Sequence, residues 1–166
     1  MEALEADPEA KVEVVQVLAA QVMKMAILIG KQGERIGVEP FEQAQLDTDI
    51  LVLSLRSLVT VSSALGEVGI DVSPHVSRFD VAFPAAKAVR DVLSHQEDYL
   101  LGAGDLQSEP GIPMTMFYER GAGGTAIHMT NPDLALDVGQ IVPAAMDLTE
   151  GVLDAVHEWL DRTSVR

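Results

Sequence analysis

Apolar residues recur at helical spacing along most of the chain. Val15, Leu18, Val22, Ala26 and Ile29 fall on one side of a predicted helix, with Glu13, Gln16, Lys24 and Lys31 opposite. Asp7-Pro8 supplies a start, since Asp accepts orphan amide hydrogens and Pro is preset for the first helical position. Gly30 and Gly33 are expected to end it. Val14, Val17 and Met25 widen the stripe, so the helix is expected to pack on two neighbours. From Pro40 to Leu65, Leu51, Leu55, Leu58 and Leu65 fit a second helix, although Leu51, Leu53, Leu55, Val59 and Val61 also alternate like a strand. Length decides for the helix, because this run passes without a turn residue and outlasts an ordinary strand. Gly66 is expected to cap it.

GEVGIDVSPHVSRFD reads as a connector rich in Gly, Ser and Pro. A third helix follows from Pro84 to Leu101, with Ala86, Val89, Val92, Leu93 and Leu100 apolar and Gly102 and Gly104 stopping it. The pattern then changes period. MTMFYE and TAIHMT are short, rich in Met, Thr and aromatics, and joined by RGAGG, which predicts a hairpin with a glycine loop. LALDV adds a candidate third strand. The last helix puts Ala145, Leu148, Val152, Val156 and Trp159 on one face and Glu150, Asp154, His157 and Asp161 on the other. The expected fold is mainly α: a four-helix bundle with helices near 8–32, 40–65, 84–101 and 141–162. A small antiparallel β-hairpin or meander at 113–138 is inserted between helices 3 and 4, and residues 1–166 form one domain.

Composition narrows the chemistry. The 166 residues are 48% hydrophobic, enough for a core without staples, and contain no cysteine, which excludes disulfides, thiolate metal sites and a cysteine nucleophile. The acidic start MEALEADPEAKV lacks the basic patch and apolar run of a signal peptide, and the longest strongly apolar run, MAILIG, is too short to span a bilayer. A soluble, cytoplasmic protein with no membrane partner is the expectation. With 26 acidic and 11 basic residues the formal charge is -15, which repels phosphate backbones and argues against a broad nucleic-acid face.

One polar stripe carries candidate chemistry. On the third predicted helix, Arg90, Asp91, Ser94, His95 and Asp98 run as a continuous band. Asp91 and His95 are four apart and within reach, whereas Arg90 and His95 lie about 140° apart around the axis and converge loosely. This arrangement resembles the HEPN superfamily of small four-helix bundles, whose motif sets an Arg, with a polar residue after it, a few residues before a His. Asp91 stands where the family more often has Asn. The resemblance covers the motif and the helical layout, and the β insertion is not part of it. It implies a metal-independent ribonuclease in which two motifs meet across a dimer interface. In that chemistry His95 moves protons near neutral pH, Arg90 clamps RNA or nucleotide phosphate, Asp91 orients His95, and Ser94 is a further candidate. Against this stands a solvated structural stripe with no catalysis.

Other residues read blandly. His75, His128 and His157 are scattered over a loop, a strand and a helix, with no ligand spacing and no Glu-x-x-His. His95 with Asp91 and Asp98 supplies too few ligands for a closed metal site, so neither metal nor cofactor is expected. Asp47 and Asp49 read as partners of the helix dipole. GAGG at 121–124 lacks the Lys-Ser/Thr of a phosphate loop and reads as a turn, and Met114, Met116 and Met129 as the hairpin's packed face. Two functions from different classes remain: a HEPN-like dimeric ribonuclease or nucleotide-handling protein, and a non-catalytic bundle for oligomerisation or binding a protein partner. A homodimer is expected in either case, because the first helix has surplus apolar surface.

Overall fold

The computed structural model describes residues 8–94, 116–121, 124–129 and 134–164. These residues are mainly helical, with one small antiparallel sheet. In chain order they form α1 (Pro8–Ile36), α2 (Phe41–Glu67), α3 (Ser73–Ala82) and α4 (Pro84–Ser94). Strands β1 (Met116–Gly121), β2 (Gly124–Met129) and β3 (Ala135–Asp137) follow, and α5 (Val138–Ser164) closes the order. The region that also alternates like a strand is helical throughout. Its alternation is broken in space: Leu51 and Leu55 are buried while Leu53 is exposed.

α1 and α2 form the most extensive helix pair, and α1 also packs on α5. Val15, Val22 and Ile29 of α1, Leu51, Leu58 and Leu65 of α2, and Ile141, Ala145 and Val152 of α5 are fully or almost fully buried in one continuous core. Full burial of such a side chain stabilises by about 1.5–3 kcal/mol, so these periodic positions supply much of the driving force. Buried hydroxyls fold back on their own helices. Thr48 Oγ1 donates to the Ala44 carbonyl at 2.8 Å, and Thr149 does the same to Ala145 at 2.8 Å.

The sheet runs in order β1-β2-β3. Tyr118 pairs with Ile127, and Ile127 with Leu136, so one row of three buried side chains crosses it. Phe117, Glu119, Ala135 and Asp137 point to the exposed face. Gly121 pairs with Gly124, so the strands run further into RGAGG than the composition suggested. Asp137 ends β3 and caps α5, its Oδ1 accepting the Gly139 N–H at 2.8 Å. That cap starts α5 three residues before the expected position at 141 and leaves Pro143 inside the helix.

Three sequence readings are corrected here. The stretch read as a connector holds α3, so the described residues contain five helices rather than four. Pro74 suits its first turn, and Val76, Phe79 and Phe83 recur at helical spacing behind it. Gly30 and Gly33 do not end α1, which continues to Ile36. Gly33 instead gives room to α5: a Cβ there would stand 2.7 Å from Val142 Cγ2. The cap of α2 is Gly69, not Gly66. Gly69 has φ +90°, its N–H donates to Gly66 O at 3.1 Å, and the Ile70 N–H donates to Leu65 O at 3.1 Å. That is a Schellman motif, with Ile70 and Leu65 both buried beside it.

The two glycines therefore respond oppositely. Gly69→Ala is expected to cost about 1–2 kcal/mol, because alanine resists a left-handed backbone. Gly66→Ala lies in helix with nothing near its added Cβ and is expected to stabilise by about 0.5–1 kcal/mol. Denaturant midpoints of the two variants check the pair of signs.

Candidate functional site

Arg90, Asp91 and Ser94 lie within α4, whose Ala86, Val89 and Val92 are buried against the core. The side chains of those three polar residues, and the whole of His95 and Asp98, lie outside the described residues. The expected approach of Arg90 and Asp91 to His95 therefore lies outside them too. Of the remaining histidines, His75 stands on α3 rather than in a loop. His128 stacks on Phe117 at 5.5 Å and meets Glu119 at 3.3 Å across the hairpin, and His157 is exposed on α5. Among the described residues no three His, Asp or Glu side chains gather as a metal site.

Asp47 is not a surface partner of the helix dipole. It is 1% exposed, and its Oδ2 lies 3.1 Å from Arg35 Nε, while Gln43 donates to Oδ1 at 3.4 Å. The ion pair joins the end of α1 to the start of α2. Arg120 of β1 reaches the same turn, donating from Nη2 to Ile36 O at 2.6 Å and Glu39 O at 2.9 Å. The Ile36 carbonyl lies at the end of α1, where no intrahelical donor remains for it, and that of Glu39 lies in the turn before α2. Phe41 adds an aromatic contact to Tyr118, with centroids 5.2 Å apart. Asp49 is half-buried, and burial raises its carboxyl above the usual range against a smaller opposing hydrogen bond from Gln45.

The outer side of α1 is uncovered and carries several large apolar side chains. Val17, Met23 and Ile27 are 54%, 51% and 56% exposed, and with exposed Ala20 they form one ridge at three- and four-residue spacing. Glu13, Gln16, Lys24 and Lys31 stand on the same side of the helix, among these apolar residues. α1 and α2 are each long and apolar enough to cross a membrane by length and composition, and only 22% of the most apolar window of α1 is buried. The longest uninterrupted apolar run conceals this, because Lys24 and Lys31 break the run while the window's mean hydropathy stays high.

A second feature lies between α3 and α5, a pocket of about 440 Å³. Phe79, Phe83, Ala144 and Leu148 give it apolar walls, and His75, Arg78, Gln140 and Asp147 contribute polar groups. The imidazole of His75 lies over Gly151, where a Cβ would stand 2.6 Å from its Cε1. The lining positions of α3 are 75, 78, 79 and 82, with Phe83 just past its end, and those of α5 are 140, 143, 144, 147 and 148, each a stripe of one helix face. That pairing of stripes is present in the sequence, but reading 66–80 as a connector hides the first one. Compared with family models, curated proteins and solved structures, the chain matches none.

Arg35→Ala is expected to destabilise by about 3 kcal/mol, because it leaves a buried carboxylate without its cation. Asp47→Asn removes the charge together with its need for a partner and is expected to cost clearly less; urea unfolding of both variants reads the asymmetry. Asp49 gives a pH test. Its folded pKa is raised, so charging it opposes folding above that pKa, and this cost disappears as pH falls through it. Asp49→Asn is therefore expected to be more stable than wild type at pH 7, with the advantage fading in the acid range where Asp49 binds its proton.

Proposed function

We propose that this chain is a non-catalytic helical-bundle protein that works by assembly, joining a second copy of itself through the outer ridge of α1. The observation that carries the reading is the half-exposure of Val17, Met23 and Ile27 on a helix whose apolar window is mostly uncovered. Charge selects the occupant. Two chains of charge -15 repel each other over most of their surfaces. α1 is different: Lys11, Lys24, Lys31 and Arg35 outnumber Glu9, Glu13 and Glu34 by one. An antiparallel two-fold centred near Val22 sets Val17 against Ile27 and Glu13 against Lys31, in both directions across the axis. Lys24 in the middle of the ridge favours a protein neighbour over lipid, since a charged side chain is costly at the centre of a bilayer.

The HEPN resemblance implies a dimer as well, but one joined around Arg90 on α4. The two arrangements separate by mutation. In analytical ultracentrifugation at micromolar concentration, the wild type is expected to be a dimer. Val17→Asp/Ile27→Asp is expected to be a monomer that keeps its circular dichroism spectrum, while Arg90→Ala stays dimeric. A monomeric wild type overturns the proposal. So does metal-free cleavage of mixed RNA that His95→Ala and Arg90→Ala each abolish, because that outcome restores the ribonuclease reading.

A further inference from the structure

The pocket between α3 and α5 has two walls of opposite polarity. From α3 come His75 and Arg78, one helical turn apart, and Arg78 offers a guanidinium that only donates. From α5 come the Asp147 carboxylate and the Gly139 backbone. Pro143 stands four residues after Gly139 inside α5 and has no N–H, so the Gly139 carbonyl lacks its usual helical donor beside the pocket. Gln140, which donates to Asp137 Oδ2 at 3.2 Å, keeps its own carbonyl oxygen as a further acceptor. Arg78 and Asp147 make no ion pair or hydrogen bond with each other or with any other described residue. Between the charged groups lie Phe79, Phe83, Ala144 and Leu148. The volume, about 440 Å³, falls in the range of small-molecule sites.

We infer that this pocket binds a small zwitterion with an apolar side chain, of the class of free aromatic or large aliphatic α-amino acids. The carboxylate of the ligand pairs with Arg78, its ammonium donates to Asp147 and the Gly139 carbonyl, and its side chain lies against Phe79 and Phe83. Net charge supports a zwitterion over an anion. A chain of -15 repels a net anion, and Asp147 in the pocket adds to that repulsion locally. A simple cation would leave the Arg78 guanidinium without a partner. Gly151 belongs to the same design, because it alone leaves room for the His75 ring at the end of the pocket.

Isothermal titration calorimetry of the full chain tests this with three probes: L-phenylalanine, its amide, which lacks the carboxylate, and 3-phenylpropanoate, which lacks the ammonium. L-phenylalanine is expected to bind saturably, and each of the other two about tenfold more weakly or worse. Arg78→Gln is expected to weaken L-phenylalanine but not the amide. Asp147→Asn is expected to weaken L-phenylalanine but not 3-phenylpropanoate. Melting curves confirm that both variants are folded, since Arg78 and Asp147 are exposed and truncation there removes little packing. Equal binding of all three probes overturns the inference, as it marks an apolar site without charge recognition. Absence of saturable binding by any probe, or indifference of both folded variants, overturns it as well.

Discussion

The carboxylate of Asp47 sits in the core, and the arrangement of the longest helices depends on how it is neutralised. A buried charge without a partner costs several kcal/mol, so Asp47 is tolerable only where Arg35 can reach it. That requirement fixes the turn between α1 and α2 and with it their register. The Ile36 carbonyl at the end of α1 and the Glu39 carbonyl in the turn accept from Arg120, which docks β1 onto the same turn. β1 sets β2 and β3 through the ladder, and β3 ends in Asp137, the cap of α5. Polar contacts thus place the elements, while apolar periodicity supplies the energy that holds them.

What was legible in the sequence was the part governed by periodicity. Val15, Val22 and Ile29, or Leu51, Leu55 and Leu58, announce helix faces because a spacing of 3.6 puts them on one side. The small sheet was legible because aromatics, β-branched residues and a glycine loop switch the period to two. Glycine was where the reading failed. Gly33 looked like a stop but serves close packing against Val142, and Gly66 looked like a cap three residues before the true one. A glycine's role depends on what stands opposite it, and that neighbour is distant in sequence. α3 was hidden for a related reason. Its Ser and Pro residues resemble a loop until Pro74 is seen as a first-turn residue with Phe79 buried behind it.

The candidate chemistry was less legible still. Asp47 looked like one of two acidic residues near a helix start, and only its burial against Arg35 separates it from Asp49. The stripe of Arg90, Asp91 and Ser94 was visible as a pattern, but a pattern on one helix does not say what faces it. The pocket is the converse case. Each of its two stripes is ordinary alone, and the chemistry arises from their meeting, with donors on α3 and acceptors on α5. Sequence spacing predicts which residues share a face, whereas function depends on which faces meet.

Charge distribution joins these features. α5 carries five acidic residues against Arg162, whereas α1 is slightly basic. A protein that must stay apart from its copies over most of its surface, yet join them at one place, needs such a division. The uncovered ridge of Val17, Met23 and Ile27 lies on the one long helix where charge does not oppose contact. The pocket lies on the acidic helix, where Asp147 repels anions and Arg78 is the one Arg or Lys among the described lining residues. The proposed association at α1 and the proposed zwitterion in the pocket thus call on the same field. That common origin makes the two assignments physically consistent, although each rests on its own residues.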